Sequence, residues 1–326
     1  MLNPIGEGAE MTQRFFSDDS FWNQPIAPDA EIDPKSAHFT ALLSRDANGP
    51  GFGINVRRYT IPVYEVDDAT PRRRIHQRTS FHQKKYKKWG EIFSHGPDFG
   101  PEIPVPDDAA PDPDGDGHMA MVDWGNMRAW DMWAVGKRYD GEWESATGMT
   151  YPLDGDGIFQ REWFPIKPGE SIHFYGPSRA SGVPAIAGLI MHDEMTEGHI
   201  RHKLAFASRV NAYLEFVWPV VWTDGHKEGG IPEGAVVQLD PSLDLSQFDL
   251  GPGGETVARC LQEYGAVNTD NSGGNALYAE HLQAKPGFAW EGVLDPFSIA
   301  AIPATCYRVL RLGEIIHGGM TREPVK

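Results

Sequence analysis

Short alternating runs of apolar and polar residues make up most of the chain, and glycine, proline and aspartate separate them. Alternation predicts strands, because successive side chains of a strand point to opposite faces. The predicted strands are 118–123, 128–135, 171–175, 200–207, 210–221 and 235–239, with a strand pair within 55–66. The predicted helices are 34–44 and 255–264. This pattern favours an all-β fold, a β-sandwich or jelly roll of antiparallel sheets with a few short peripheral helices.

The composition fits many short elements joined by tight turns. The 326 residues include 36 glycines, 26 prolines and ten tryptophans. No internal repeat or low-complexity linker divides the sequence. We therefore expect one β-sandwich domain over residues 1–326, with an aromatic N-terminal extension at 15–26 and a basic insertion at 72–89.

The segment 178–207 carries ionisable residues where a core strand would be apolar. Alternation near its end places His202 on the buried face and Arg201 and Lys203 on the other. Glu194 lies eight positions upstream, after an apolar run. A buried imidazole needs a hydrogen-bond partner or a function. His202 is therefore either a structural histidine or part of an active site.

Carboxyl groups in this sequence suit glycoside hydrolysis, in which one carboxyl protonates the leaving oxygen and another activates water or attacks the anomeric carbon. Glu194 beside its apolar run is the predicted general acid, because burial favours the protonated form. The candidates for the second carboxylate are Asp123, Asp131 and Asp270, with Asp123 and Asp270 preferred. Cleavage of a polysaccharide by carboxylate acid–base hydrolysis is the leading hypothesis.

Further residues are predicted to complete the same cleft. His118 and His202 are expected to line it, while Trp130 and Trp133 would stack on sugar rings. This hypothesis requires that side chains distant in sequence converge on one groove.

β-Elimination from a uronate polymer is the alternative chemistry. It needs a base for the α-proton, an acid for the leaving group and a cation or imidazole beside the carboxylate. His202 or Tyr213 would be the base, and Arg201 or His118 would neutralise the uronate. A third class is a non-catalytic surface protein that binds carbohydrate, in which the histidines only hold loops.

The segment 112–123 has the spacing of a calcium loop. Asp112, Asp114 and Asp116 occupy positions one, three and five, Gly117 is at six, and Asp123 is at twelve. It differs from an EF-hand in its final aspartate and in its lack of flanking helices. The sequence thus predicts a structural Ca²⁺ site, with an aspartate-rich turn as the alternative. No other cofactor is expected.

A formal net charge of −17 disfavours nucleic acid as a partner. The basic insertion at 72–89 departs from this average, and aromatic residues alternate with its cations. It is either a solvated hairpin or a loop that grips an anionic polysaccharide. No stretch has the length and apolarity of a membrane span. Cys260 and Cys306 permit one disulfide, which the sequence leaves open.

The N-terminus lacks the basic-then-apolar pattern of a secretion signal, so either the protein is cytoplasmic or the signal has been removed. Seven stretches together bear on this choice, namely 117–123, 181–184, 188–190, 193–194, 200–206, 216–219 and 264–271. In this order they resemble a widespread group of uncharacterised secreted bacterial proteins of the actinobacterial type. The resemblance implies an extracellular or periplasmic location and a role on extracellular polymers.

Overall fold

The largest sheet has six strands in the computed structural model, which describes residues 12–45, 51–78, 94–163 and 179–319. From edge to edge it consists of β1 (Gly53–Asn55), β15 (Ala276–Tyr278), β10 (Leu204–Ser208), β14 (Ala266–Asn271), β13 (Val236–Leu239) and β16 (Tyr307–Val309). Apolar layers cover both faces of β10. Leu204 and Phe206 pack in one cluster, and Ala205 and Ala207 pack in another. All five residues of β10 are therefore buried.

A four-stranded sheet packs against one face of the six-stranded sheet. It contains, in order, β2 (Val63–Glu65), β5 (Met119–Asp123), β6 (Arg128–Trp133) and β9 (Thr147–Pro152). Ala120 and Val122 of β5 share an apolar cluster with Ala205 of β10. Met119 and Met121 point to the opposite face and pack in a separate cluster, as the alternation of a strand requires.

Two smaller sheets complete the described strands. One contains β4 (Glu102–Pro104), β3 (Arg72–Gln77), β8 (Trp143–Ser145) and β7 (Gly136–Lys137), and the other contains β12 (Ile231–Glu233), β11 (Asn211–Phe216) and β17 (Ile316–His317). The start of the predicted basic insertion thus forms strand β3. Residues 79–89 of that insertion, and the predicted strand 171–175, lie outside the described residues.

The sheets mix parallel and antiparallel pairs, so the expectation of antiparallel sheets is wrong in this respect. β10 runs parallel to β14 and antiparallel to β15, and β2 runs parallel to β5. Parallel neighbours need a long connection, and the chain between β10 and β14 contains three strands and a helix. The expectation of a sheet-rich chain with few helices is confirmed.

Three α-helices lie among the described residues, namely α1 (Ser36–Leu43), α2 (His192–Glu197) and α3 (Gly251–Glu263). α1 confirms the predicted helix 34–44. α3 begins earlier than the predicted 255–264, with a proline in its first turn, where the missing N–H is not needed. Gly198 ends α2 with a φ of 76°, a left-handed conformation that glycine adopts without a steric penalty.

Most of the predicted strands near the middle of the chain are confirmed. β5, β6 and β13 match the predicted 118–123, 128–135 and 235–239. The predicted strand 200–207 begins only at Leu204. The expected pair within 55–66 is wrong, because β1 and β2 belong to different sheets.

Lys203 is buried, contrary to the expectation that it faces solvent, because the N-terminal aromatic segment covers it. Its backbone N–H donates to the Trp22 carbonyl at 2.7 Å. Its Nζ donates to the carbonyls of Phe21, at 3.0 Å, and of Gln24. Burial lowers the pKa of Lys203 to about 8. Trp22 is itself 1 % exposed, so this segment is part of the core rather than an external extension.

Both cysteines are reduced. Cys260 is buried in α3, and Cys306 is partly exposed. None of the helices in the described ranges combines the length and apolarity that a bilayer crossing requires. A single domain over residues 1–326 stays a prediction.

Candidate functional site

Glu194 and His202 form a buried pair. The Nε2 of His202 lies 3.1 Å from Oε2 of Glu194, and its Nδ1 lies 2.8 Å from the Lys203 carbonyl. Both neighbours are acceptors, so both ring nitrogens carry hydrogen and His202 is an imidazolium. Burial lowers the pKa of His202, but the Glu194 carboxylate and its hydrogen bond outweigh burial, and the pKa is raised. This pair confirms that His202 is buried and has a specific partner.

The Glu194–His202 pair lies away from Asp270. β10 and β14 are parallel, with Leu204 beside Ala266 and Ala207 beside Asp270. Leu204 to Ala207 spans about 10 Å at roughly 3.3 Å per residue, and His202 lies two residues further upstream. The two carboxyls that the sequence suggested as a catalytic pair are therefore at opposite ends of these strands.

Asp123 and His118 lie at opposite ends of β5. Asp123 ends the strand and accepts from the backbone N–H and the Nδ2 of Asn126, both at 2.9 Å. The carbonyl of His118, just before the strand, accepts from the N–H of Asp112 at 2.8 Å. Because five strand residues span about 13 Å, Asp123 and the loop that precedes β5 do not face a common point.

The carboxylates of the predicted calcium loop have separate partners. Asp112 accepts from the Thr60 hydroxyl at 2.8 Å, and Asp114 accepts from Nε of Arg58 at 3.1 Å. In the described ranges, no group of three or more His, Cys, Asp or Glu side chains is arranged to hold a metal ion. Calcium binding at Asp112, Asp114, Asp116 and Asp123 stays a prediction from spacing alone.

The four predicted substrate-binding residues are spread over the molecule. Trp130 is buried on β6 and lines a cavity that also contains Asp123. Trp133, at the end of the same strand, and Tyr213 on β11 are partly exposed. Arg201 donates to the Thr12 carbonyl and so holds the N-terminal segment. Arg201 precedes His202, the partner of Glu194, whereas Trp130, Trp133 and Tyr213 lie on two other sheets.

A different set of carboxyl groups is brought together by β11, β12 and β14. We name Asp224, Glu233 and Asp270 the carboxyl cluster. Asp224 lies in the loop between β11 and β12, Glu233 ends β12, and Asp270 lies near the end of β14. The backbone N–H of Gly234 donates to the Asn268 carbonyl at 2.7 Å, which fixes the end of β12 against β14.

Glu233 is the deepest member of the carboxyl cluster and is 0 % exposed. Burial raises its pKa well above the ordinary range, and the carboxylates of Asp224 and Asp270 raise it further. Its Oε1 accepts from Nδ2 of Asn211 at 2.7 Å. Hydrogen bonds from the side chains of Thr223 and Asn211 oppose this rise in the pKa without cancelling it. The neutral form of Glu233 is therefore favoured.

Asp270 is the partly exposed member. Burial of its carboxyl raises the pKa well above the ordinary range, and the nearby carboxylates of Asp224 and Asp116 add to this effect. Its Oδ1 accepts from the Asn271 N–H at 2.8 Å, and its Oδ2 accepts from the Tyr278 hydroxyl at 3.3 Å. Both oxygens of this carboxyl thus have a donor beside them.

Arg179 is the buried cation next to the carboxyl cluster. Its guanidinium lies 4.2 Å from the centre of the Tyr278 ring and donates to the Thr269 hydroxyl at 3.1 Å and the Ala185 carbonyl at 2.7 Å. Only 1 % of Arg179 is exposed, so it holds the strand ends in place rather than meeting a ligand. Its positive charge opposes the rise in the pKa of Asp270 without cancelling it.

His226 and Asn271 form a second polar pair beside Asp270. Nδ2 of Asn271 lies 3.0 Å from Nδ1 of His226, and both residues are partly exposed. The site therefore places an amide and an imidazole beside carboxyl groups with raised pKa values, and these are the side-chain types that acid–base chemistry uses.

Sequence reasoning identified Asp270 but missed Asp224, Glu233, Asn211 and His226. Glu233 stands between a proline and a glycine, where a turn residue is the ordinary interpretation. The sequence did contain one signal of this site. Four consecutive polar residues, 268–271, end a core strand, and such a run indicates a polar site at the end of that strand. Their partners come from strands that are distant in sequence.

Comparison of the chain with family models, with curated proteins and with solved structures gives no match.

Proposed function

We propose that this protein is a carbohydrate-active enzyme that hydrolyses glycosidic bonds of a polysaccharide, with Asp270 as the general acid. The observation that carries the proposal is the mutual effect of the three carboxyl groups of the cluster, by which Asp224 raises the pKa of both Asp270 and Glu233. A glycosidase needs one carboxyl that donates a proton and a second that accepts one or attacks the sugar, and a raised pKa suits the first of these roles.

The proposed reaction divides the roles by protonation state. Asp270 donates its proton to the leaving glycosidic oxygen, the C–O bond breaks, and hydroxide from water joins the anomeric carbon. Asp224 accepts the other proton of that water. The raised pKa of Glu233 favours its neutral form, which adds no negative charge beside Asp224.

The substrate class follows from the surroundings of Asp270 and from the sequence. Arg179 packs against the Tyr278 ring on the buried side of Asp270. Asp270, Asn271 and His226 are partly exposed, as contact with a bound polymer requires. The resemblance to secreted bacterial proteins supports an extracellular or periplasmic polysaccharide. The proposal includes a sandwich arrangement, with the six-stranded and four-stranded sheets as its two layers.

β-Elimination is the second candidate, and the His226–Asn271 pair favours it. An amide and an imidazole side by side provide hydrogen bonds that stabilise a uronate carboxylate as its α-proton leaves. The surplus of carboxyl groups at the site disfavours an anionic sugar, because like charges repel. Hydrolysis is therefore the leading proposal.

Digestion of a panel of neutral and uronate polysaccharides tests both chemistries. Hydrolysis releases reducing ends without new absorbance, whereas elimination also creates an unsaturated sugar that absorbs in the near ultraviolet. We expect reducing ends alone, lost in Asp270→Asn and retained in the exposed control Asp29→Asn. Near-ultraviolet absorbance would establish elimination. Saturable binding to a polymer with no product from any substrate would instead identify a non-catalytic binding protein.

A further inference from the structure

Tyr278 reaches Asp270 across an intervening strand. Asp270 lies on β14 and Tyr278 on β15, and β10 runs between them. Neighbouring strands are about 4.8 Å apart, so the two backbones are separated by roughly 10 Å. The β10 side chains on this face are Ala205 and Ala207, which pack in the same apolar cluster as Tyr278. Because these side chains are small, the phenol crosses β10, and its hydroxyl donates to Oδ2 of Asp270 at 3.3 Å.

The Tyr278 ring is held by a buried cation. The guanidinium of Arg179 lies 4.2 Å from the ring centre, and only 1 % of Arg179 is exposed. The same guanidinium donates at 3.1 Å to the hydroxyl of Thr269, the residue before Asp270. The Thr269 carbonyl in turn accepts from the Ser181 hydroxyl at 2.5 Å. One cation thus fixes both the tyrosine ring and the strand residue next to the acid.

A hydroxyl can bond to a carboxyl group in both of its protonation states. The Asn271 N–H beside Oδ1 of Asp270 can only donate, whereas a phenol both donates and accepts. The phenol accepts from Asp270 while that residue carries its proton, and it donates to the carboxylate after the proton has left. Burial raises the pKa of Tyr278 well above its ordinary value, so the hydroxyl keeps its own hydrogen throughout.

The groups around Asp270 act on its ionisation in opposite senses. They are Asp116, Arg179, Asp224, Glu233 and Tyr278, with His226 beside the neighbouring Asn271. Burial and the carboxylates raise the pKa of Asp270, and the positive charge of Arg179 lowers it. A hydrogen bond from Tyr278 to the ionised form also lowers the pKa. A general acid must release its proton as well as hold it, and these opposing effects keep Asp270 able to donate.

We propose that Tyr278 is a positioning residue, whose hydroxyl holds the Asp270 carboxyl in one orientation before and after proton transfer, while Arg179 holds the ring. The inference rests on the proposed function, because it needs Asp270 as the general acid. Tyr278 itself neither gains nor loses a proton in the net reaction. It acts through the orientation and the acidity of Asp270.

Tyr278→Phe removes the hydroxyl and keeps a ring beside Arg179. We expect the pKa of Asp270, measured by carbon NMR of labelled aspartate, to rise by about one unit. The alkaline limb of kcat/KM should move to higher pH with it, and kcat should fall about tenfold because the carboxyl is less well oriented. The matched control is Tyr64→Phe, since the Tyr64 hydroxyl donates to the Ala110 carbonyl at 3.0 Å and belongs to a different sheet. The control should change neither the pKa of Asp270 nor the pH profile.

Tyr278→3-fluorotyrosine gives a second variant, which keeps the phenol in place and makes its hydroxyl a stronger donor. We expect a lower pKa of Asp270 and an alkaline limb at lower pH, because the ionised form is better stabilised. Shifts in opposite directions in the two variants cannot arise from a general loosening of the fold.

The role of Tyr278 is overturned if the pKa of Asp270 is unchanged in both variants, or if Tyr64→Phe shifts it equally. Hydrolysis with an unmoved pKa of Asp270 would refute this role and leave the proposed function intact. Shifted pKa values in a protein that releases no reducing ends from the polysaccharide panel would support the contact and refute hydrolysis instead. The two failures are therefore distinguishable.

Discussion

Asn211 donates an Nδ2 hydrogen to Oε1 of Glu233 across 2.7 Å, and the same amide nitrogen donates to the backbone carbonyl of Asp270. One amide thus connects two members of the carboxyl cluster. Burial raises the pKa of Glu233 and so favours its neutral form. Its protonation affects both the stability of the fold and the ionisation of its neighbours.

Glu233→Gln should stabilise the protein at neutral pH. The amide keeps Oε1 as the acceptor for Asn211 and cannot ionise. The pKa of Glu233 is raised in the folded state, so the native protein loses stability as the pH rises from the unfolded pKa, about 4.3, toward the folded pKa. The melting temperature of Glu233→Gln should therefore match the native one at pH 4 and exceed it by a few degrees at pH 7. Glu228→Gln, at an exposed position, is the control and should show no such divergence.

Hydrolysis should fail at alkaline pH because Asp270 must be protonated to act. Its pKa is raised by burial and by neighbouring carboxylates, so the alkaline limb of kcat/KM should lie well above the ordinary aspartate pKa of about 3.9. Asp270→Asn should lower kcat by about 10²-fold to 10⁴-fold. An alkaline limb that persists in a still-active Asp270→Asn would assign the acid to another residue.

Glu194→Gln should destabilise the fold rather than abolish the chemistry. Breaking a buried ion pair costs about 3–5 kcal/mol. The pKa of His202 is raised in the folded protein. The ion pair therefore makes its full contribution to the free energy of unfolding below about pH 6.5, the unfolded pKa, and this contribution is lost as the pH rises through the folded pKa. Urea unfolding should show the largest loss at pH 6 and a smaller loss at pH 9.

The exposed pair Glu255–Arg259 on α3 is the matched comparison. Glu255→Gln should cost under about 0.5 kcal/mol at either pH, since water screens such pairs. If Glu194→Gln lost activity under conditions where it stays folded, Glu194 would have a role in catalysis.

Gly234 should not tolerate alanine. Its φ is 89°, and a Cβ there would lie 1.9 Å from the Val217 carbonyl oxygen. Gly229 has a similar φ of 66°, with nothing within 4 Å of an added Cβ. Gly229→Ala should cost about 1 kcal/mol from backbone strain alone, and Gly234→Ala about 3 kcal/mol or more. Equal denaturation midpoints for the two variants would contradict the close approach at Gly234.

Local alternation was enough to predict much of the sheet content and the burial of His202. It could not predict the pairing of the strands, because parallel partners such as β10 and β14 are separated by more than fifty residues. The burial of Lys203 was missed for the same reason. Its side chain would face solvent in an edge strand, but here a segment from the distant N-terminus supplies carbonyl acceptors for it.

The candidate site was predictable only where the sequence concentrates polar residues. Asp270 stands in such a run, and it was identified. Glu233 gave no local signal, since its importance comes from the carboxylates of Asp224 and Asp270, which surround it only in the folded chain. Glu194 and His202 were predicted for the same cleft, and they do form a pair, but this pair lies at the other end of β10 and β14 from Asp270.

The attachment of Lys203 to the carbonyls of Phe21 and Gln24 limits where the chain can be shortened. A recombinant fragment that starts at residue 25 would leave a buried amine with no acceptors and would uncover the apolar pocket of Trp22. Fragments for expression should therefore begin before Phe15, and an affinity tag is better separated from that point by a spacer.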